Sequence, residues 1–364
     1  MNIAIIGSRG IPNRYGGFEQ LAEELSVGLM QKGYSVTVYN SHHHEYREND
    51  YRGVEIVHCY DGESLMGSAG QFIYDLNCIR DARKRGFDIL LFLGYTSSSV
   101  WHRWFPRKAV IISNMDGLEW KRSKYSGPVK YFLKYAERLA VKNSDLLVAD
   151  SPVIRDYLAD KYKVECNYIP YGARIAEDPQ ESELDLIGCR ARNYFMLMAR
   201  MEPENNIEMI LEGFHQSTSE KEFIVVGNSA NSYGRYLVKK FGIDKRIKFA
   251  GAIYEANINH ALRSFCSLYF HGHSVGGTNP SLLEAMAGGA LIGAHDNAFN
   301  RAVLEEDAYY FDSTGRVMEI IDSFRENPGM TARNRERIQA RYNWPMVIEK
   351  YAELFNECHK RIRK

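Results

Sequence analysis

The chain has 364 residues, 45% of them hydrophobic and 12% aromatic, which is enough apolar material for two cores of ordinary domain size. Lysine plus arginine number 46 and so do aspartate plus glutamate, so the net charge is zero and no global basic field points to nucleic acid. The six cysteines (Cys59, Cys78, Cys166, Cys189, Cys266, Cys358) include no C-x-x-C pair, which argues against a disulfide scaffold or a zinc site. Reduced thiols in the cytoplasm are expected. No run approaches the ~20 apolar residues of a spanning helix, so the protein is expected to be soluble or peripheral.

Asn2 to Ile6 predicts a buried parallel strand, followed by Gly7-Ser8-Arg9-Gly10-Ile11-Pro12. A helix then begins near Gly16-Gly17, because Phe18, Leu21, Leu25 and Leu29 recur at helical spacing up to Gly33. With the strand Ser35 to Tyr39 these complete a βαβ unit of the doubly wound kind. The dinucleotide fingerprint G-x-G-x-x-G is absent, since the run from Gly7 to Gly10 lacks its central glycine, and nicotinamide binding loses most of its support. Gly16-Gly17 offers bare amides to a phosphate or sugar; the alternative is a loop whose glycines serve only the turn. His42-His43-His44 reads as a solvated loop, because adjacent side chains of an extended chain point to opposite sides and no second ligand cluster accompanies them. Val54 to Cys59 and Asp88 to Leu93 are further strands, with a helix from Gln71 to Arg85 between them.

Ala109 to Ser113 is the next strand, and it runs into Asp116-Gly117-Leu118-Glu119-Trp120-Lys121-Arg122. Two acids, two bases and an indole after the carboxyl end of a strand are a crowded mixture for a connector. Asp116 is the candidate for binding an acceptor hydroxyl or acting as a base, the alternative being a turn cap; Glu119, Lys121 and Arg122 are counted with it as substrate-binding. From Trp101 to Lys142 ten bases face three acids, with Trp101, Trp104, Trp120 and Tyr131 among them. Such a segment suits an anionic membrane surface or a lipid-linked phosphate, although ordinary helices carry similar faces. Leu146 to Ala149 is a strand, Ser151-Pro152 opens the helix Val153 to Tyr162, and the polar stretch from Ile175 to Cys189 places the domain boundary.

A second βαβ array follows, with strands Tyr194 to Met198, Phe223 to Asn228 and Ile247 to Gly251, and helices Ile207 to His215, Tyr233 to Phe241 and Ile258 to Arg263. The strand Ser267 to Phe270 then delivers the most informative run, His271-Gly272-His273-Ser274-Val275-Gly276-Gly277-Thr278-Asn279-Pro280-Ser281, into a helix of good formers up to Ala287. Pro280 suits the first turn and Thr278 or Asn279 can cap it. Gly276 and Gly277 let amides approach a diphosphate, and the helix start adds roughly half a positive charge there. Glu284, one turn inside, can accept from sugar hydroxyls; the alternative is a glycine turn and a packed helix with a surface glutamate. Ala290 to Ala294 is another strand. Val317 to Phe324, Met330 to Tyr342 and Met346 to Ile362 read as helices, with a break at Trp344-Pro345.

Two such halves, with Gly16-Gly17, Ile169-Pro170-Tyr171-Gly172, Ala199-Arg200 and Ser281-Leu282-Leu283-Glu284-Ala285-Met286-Ala287-Gly288-Gly289, resemble the GT-B glycosyltransferases of family 4. The resemblance implies two Rossmann-like domains facing across a cleft: an acceptor-side domain 1–172, a nucleotide-sugar-binding domain 173–345, and a C-terminal helix 346–364 crossing back to the first. More closely, the runs beginning at Gly7, Asp116 and His271 are similar to bacterial polysaccharide β-1,4-rhamnosyltransferases. Two departures stand out. The family pairs Glu284 with a glutamate where this chain has Gly276, and its diphosphate-binding Arg and Lys are Arg200 and Asn205 here. Both read as altered donor chemistry.

What the resemblance implies is retaining transfer of rhamnose from dTDP-rhamnose to a saccharide acceptor on a polyprenyl diphosphate, in bacterial surface polysaccharide synthesis at the cytoplasmic face of the inner membrane, with no metal and no cofactor. Arg200 and the amides of Gly277 to Asn279 would stabilise the departing diphosphate, such preorganised donors being worth roughly 3–4 kcal/mol each. Gly16-Gly17 would close its other side. Glu284 would orient ribose or sugar hydroxyls, and His271 and His273 would contact the sugar, unless they are simply buried and hydrogen-bonded. Tyr171, Asn205, Gly276 and Ser281 complete the substrate-binding set, with Asp116 on the acceptor side. The departing phosphate itself can take the acceptor proton. Two other classes stay open: an epimerase of the same architecture, which releases product without an acceptor, and a non-catalytic nucleotide-sugar binding protein, suggested by the missing glutamate and lysine.

Overall fold

The computed structural model describes residues 1–14, 16–115, 117–122, 125–175 and 178–362. The chain forms two compact units: one contains Met1–Lys121, Tyr125–Tyr171 and the segment from Trp344, and the other contains Arg122 and Gly172–Asn343. Asp116 lies outside the described residues.

In the first unit the described elements run β1 (Asn2–Ile6), α1 (Gly17–Gln31), β2 (Ser35–Ser41), β3 (Asp50–Tyr51), β4 (Val54–Cys59), α2 (Glu63–Met66), α3 (Gly70–Arg85), β5 (Ile89–Leu93), β6 (Val110–Asn114), α4 (Gly127–Asn143), β7 (Leu146–Ala149), α5 (Pro152–Tyr162) and β8 (Asn167–Tyr168). The second unit follows with β9 (Tyr194–Met198), α6 (Ile207–Gln216), β10 (Glu222–Val226), α7 (Ser232–Phe241), β11 (Ile247–Gly251), α8 (Ala256–Phe265), β12 (Leu268–His271), α9 (Pro280–Ala287), β13 (Ile292–His295), α10 (Ala298–Leu304), β14 (Tyr309–Phe311), α11 (Thr314–Ser323) and α12 (Pro328–Arg341). The last helix, α13 (Trp344–Ile362), belongs to the first unit.

The first sheet has the order β3-β4-β2-β1-β5-β6-β7-β8, parallel throughout except for the short β3–β4 pairing. Parallel strands covered on both faces need apolar residues at every position, and Ile3 to Ile6 are fully buried. From β1 the chain builds outward by a βαβ unit to β2 and through the short β3 to β4, and then resumes on the other side of β1 with β5. The loops after β1 and β5 therefore part in opposite directions, which opens a crevice at the carboxyl ends of these strands. Tyr74 on α3 donates to Ser8 O at 3.1 Å and to Tyr39 O at 2.7 Å, fixing the loop after β1. The terminal helix α13 is held within this unit by the Lys32–Glu349 ion pair and by Asn114 Nδ2 donating to the Tyr351 hydroxyl at 3.5 Å.

The second sheet has the order β11-β10-β9-β12-β13-β14, and its pairings are parallel. The order reverses between β9 and β12. Its core centres on Phe195, whose ring lies 6.0 Å from Phe214, 6.3 Å from Phe270 and 5.5 Å from Phe324.

Candidate functional site

In the second unit β9 and β12 pair directly, from Phe195 opposite Leu268 to Leu197 opposite Phe270, so the loops that leave their carboxyl ends emerge side by side. These are the turn around Arg200 and the run from Gly272 to Asn279. Asn206 Nδ2 donates to Gly272 O at 2.8 Å, while Ser274 donates to Glu204 O from its amide at 3.1 Å and its hydroxyl at 2.8 Å. A Cβ on Gly272 would sit 2.0 Å from Asn205 O, so the approach of the two loops requires glycine. The loop after β13 joins them: Asn297 and Asn300 donate from Nδ2 to His273 O at 3.0 and 3.1 Å. Three adjacent strand ends thus form one hydrogen-bonded frame.

Asn279 caps α9, its Oδ1 accepting from the Ser281 amide at 3.0 Å and hydroxyl at 2.8 Å, and the first turn holds no acid. Thr278 is buried. Gly276 has φ +130° with open space where a Cβ would stand. Volume would admit the glutamate of the resembling family, but the backbone is in a region that L-residues rarely adopt.

Sequence reasoning missed the partner of Glu284. Arg263 on α8 places Nη2 2.5 Å from Glu284 Oε2, with side chains 5% and 29% exposed respectively. A signal was present: Arg263 is the sole lysine or arginine from Ala256 to Leu283, a stretch free of acids, so its counter-charge had to come from elsewhere. Glu284 is therefore held from behind by a buried guanidinium.

His271 and His273 alternate on one side of an extended chain, and their rings stack at 4.4 Å with 12° between planes. Neither nitrogen of His271, nor Nδ1 of His273, finds a hydrogen-bond partner among the described residues, although the first ring is buried and the second half-buried with its Nδ1 covered. Burial holds His271 well below the usual imidazole range; burial and then the charges of Arg200 and Arg122 push His273 down to about 3. Both rings are neutral at physiological pH. Arg200 is exposed. Asn205 is buried and donates from Nδ2 to Arg200 O at 2.7 Å, so it fixes the turn that presents Arg200 and supplies no charge of its own. Glu204, also buried, accepts from Arg122 Nη1 at 3.4 Å. Arg122, Arg200, Asn205, His271, His273, Gly276 to Asn279, Ser281 and Glu284 all belong to this unit.

Gly16, Gly17, Glu119, Lys121 and Tyr171 belong to the first unit. Gly16 precedes α1 without a side-chain cap, but Glu19 in the first turn is buried, accepts from the Arg9 amide at 2.7 Å, and would lie 3.5 Å from a Cβ on Gly16. This glycine turn carries its own carboxylate, unlike the turn before α9. Tyr171 is buried, Glu119 half-buried and Lys121 exposed, its Nζ 5.7 Å from the Trp120 ring. The histidine run is tied into the chain: His42 Nδ1 accepts from the Asp61 amide at 2.9 Å, and His44 Nε2 lies 3.1 Å from Pro12 O. Among the described residues no group of three or more His, Cys, Asp or Glu side chains comes together as metal ligands would.

Residues 190–341 match the family model for glycosyl transferases group 1, and residues 1–174 match a domain of unknown function, DUF1972. No curated protein matches the chain. Among solved structures it is similar to sucrose-phosphate synthase from Thermosynechococcus elongatus, at 16% identity over 99% of both chains with a TM-score of 0.84. It is similar also to Anabaena HepE in complex with UDP and glucose, at 14% identity over 98% of this chain and 99% of that one, TM-score 0.73. An α,α-trehalose-phosphate synthase (UDP-forming) from Burkholderia vietnamiensis matches at 11% identity over 98% and 99%, TM-score 0.69.

Proposed function

We propose that this protein, which has the GT-B fold and whose residues 190–341 match the glycosyl transferases group 1 model, is a glycosyltransferase that moves rhamnose from dTDP-rhamnose to a saccharide acceptor, with retention at the anomeric carbon. What carries this reading is the joining of the Arg200 turn to the His271–Asn279 loop at the strand-order reversal of the second sheet. That is where a doubly wound sheet receives a nucleotide. The guanidinium of Arg200 and the amides before α9 meet the diphosphate as its charge grows. A donor one hydroxyl poorer than a hexose suits a loop where Gly276 replaces a hydroxyl-binding carboxylate.

The acceptor oxygen forms its bond to the anomeric carbon as the bond from that carbon to the diphosphate breaks, on the same face. The acceptor proton passes to the departing phosphate oxygen, so the products are a glycoside and a nucleoside diphosphate. Glu284 and the two imidazoles orient hydroxyls. Asp116 and the Glu119–Arg122 stretch serve the acceptor.

The acceptor we propose is carried on a polyprenyl diphosphate, with the enzyme at the cytoplasmic membrane face. Supporting this, α4 buries Leu133, Ala136, Glu137 and Ala140 and exposes Tyr131, Lys134, Tyr135 and Arg138 on its other side. No described helix is long and apolar enough to cross a membrane.

A panel of dTDP-, UDP- and GDP-sugars tests the donor. At a hundredfold excess over Kd the true donor stabilises by ~2.7 kcal/mol, a rise of roughly 5–11 °C for a domain of this size. NMR of the product then reads the anomeric configuration. Stabilisation by a UDP-hexose and none by dTDP-rhamnose overturns the donor assignment; release of an epimerised sugar without acceptor points to an epimerase, and binding without transfer to a non-catalytic protein.

A further inference from the structure

Glu137 on α4 is 1% exposed, and a lone carboxylate at that depth would be strongly disfavoured. Four donors converge on it. Oε1 accepts from the Tyr157 hydroxyl at 2.9 Å, Lys161 Nζ at 2.7 Å and the Tyr162 hydroxyl at 2.6 Å, all on α5. Oε2 accepts from Trp120 Nε1 at 3.2 Å, and Trp120 lies in the loop that follows β6. The same indole has Lys134 Nζ 4.5 Å from its ring centroid. Burial and then the hydrogen bond to Glu137 raise the Tyr162 phenol to about 12, so it stays a donor. The two oxygens are thus divided: one gathers α5, and the other holds the loop.

We infer that Glu137 is the positioning residue of the acceptor loop, fixing residues 117–121 through the indole of Trp120; this rests on the assignment of that loop to the acceptor. The division of labour predicts an unusual result for a conservative change. In E137Q the remaining carbonyl oxygen stays with the three donors of α5, which outnumber the indole. The amide nitrogen is then turned toward Trp120 Nε1, donor against donor. The loop is released while the α4–α5 contact is largely kept.

The test measures acceptor and donor kinetics separately for E137Q, W120F, W120A and the double variant E137Q/W120F. W120F keeps an aromatic ring and removes only the N–H. The expected result is an acceptor KM raised about tenfold in E137Q and W120F alike, the loss of a hydrogen bond to a charged group, with no further rise in the double variant. Donor KM and the slow hydrolysis of donor without acceptor stay at wild-type values, which a general loss of structure would not permit. If W120A leaves the acceptor KM unchanged, the loop does not serve the acceptor and both statements fall. If W120A raises it while W120F does not, the loop serves the acceptor but Glu137 does not position it. Should E137Q fail to fold, that last comparison alone decides.

Discussion

Glu284 and Arg263 share one contact of 2.5 Å, yet deleting it from either end should cost different amounts. In E284Q the guanidinium stays at 5% exposure without a counter-charge, and its Nε already lacks a partner. Breaking a buried pair in this way costs ~3–5 kcal/mol. In R263M the carboxylate is left at a position 29% exposed, where water reaches it, and methionine replaces the apolar stem of the arginine beside Met198. That loss should be ~1–2 kcal/mol. At ~2–4 °C per kcal/mol for a domain of this size, the second unit's unfolding midpoint falls by roughly 6–20 °C in E284Q and roughly 2–8 °C in R263M. The double variant R263M/E284Q should recover part of the E284Q loss, because no buried charge remains. Differential scanning calorimetry of the three variants at one pH decides. Equal losses, or a larger one in R263M, would refute the view that Arg263 is the costly partner to strand.

Asp75 on α3 is buried, and burial holds its carboxyl up near 7 despite hydrogen bonds from Ser97 Oγ at 2.6 Å and Gln71 Nε2 at 3.2 Å. A folded pKa raised above the ordinary carboxyl value of 3.8 gives stability that is full below that value and lost as pH rises through about 7. D75N, neutral throughout and still able to accept from Ser97, should therefore melt higher than wild type at pH 8 and not at pH 4; a gap constant across thermal melts over that range refutes this. G272A places a methyl against Asn205 O and must part the two loops, so donor affinity should fall about tenfold with the fold retained. An unchanged Kd for the donor would show that the loops need not touch.

The strands were legible where apolar runs are continuous and glycines punctuate them: Asn2–Ile6 was read as observed, and the run from His271 does deliver a helix that Asn279 caps. Helix α4 was not legible. Its core face carries Glu137 among Leu133, Ala136 and Ala140, so a charge interrupts the apolar period and only a basic, aromatic stretch shows. β14 and α10 were too short to register, at 3 and 7 residues. Of the candidate site, the glycine turn and the Asn279 cap of α9 could be read because their geometry is local. The pairing of Glu284 with Arg263 spans 21 positions and two helices, so the acid-free stretch around Arg263 shows that it lacks a local counter-charge without saying which acid supplies one. The neutrality of His271 and His273 depends on burial, which sequence expresses only through the fold.

That neutrality decides what the histidines can bind. A protonated imidazole has two N–H donors and no acceptor, which suits phosphate; a neutral one has a donor and an acceptor, which matches a hydroxyl that also does both. Burial and the Arg200 charge together keep His273 in the second state. Arg200 thus does two things from one position: in the proposed reaction it brings the cation for a diphosphate, and it denies the neighbouring imidazole a proton. The stacked pair, three of whose ring nitrogens no described residue satisfies, would meet sugar hydroxyls in the proposed reaction, since a buried polar atom without a partner is costly until something binds it. The charge-binding and hydroxyl-binding parts of this frame are set apart by electrostatics as much as by shape, and the polarity of a nucleotide sugar, ionic at the diphosphate and neutral at the ring, is what such a separation fits.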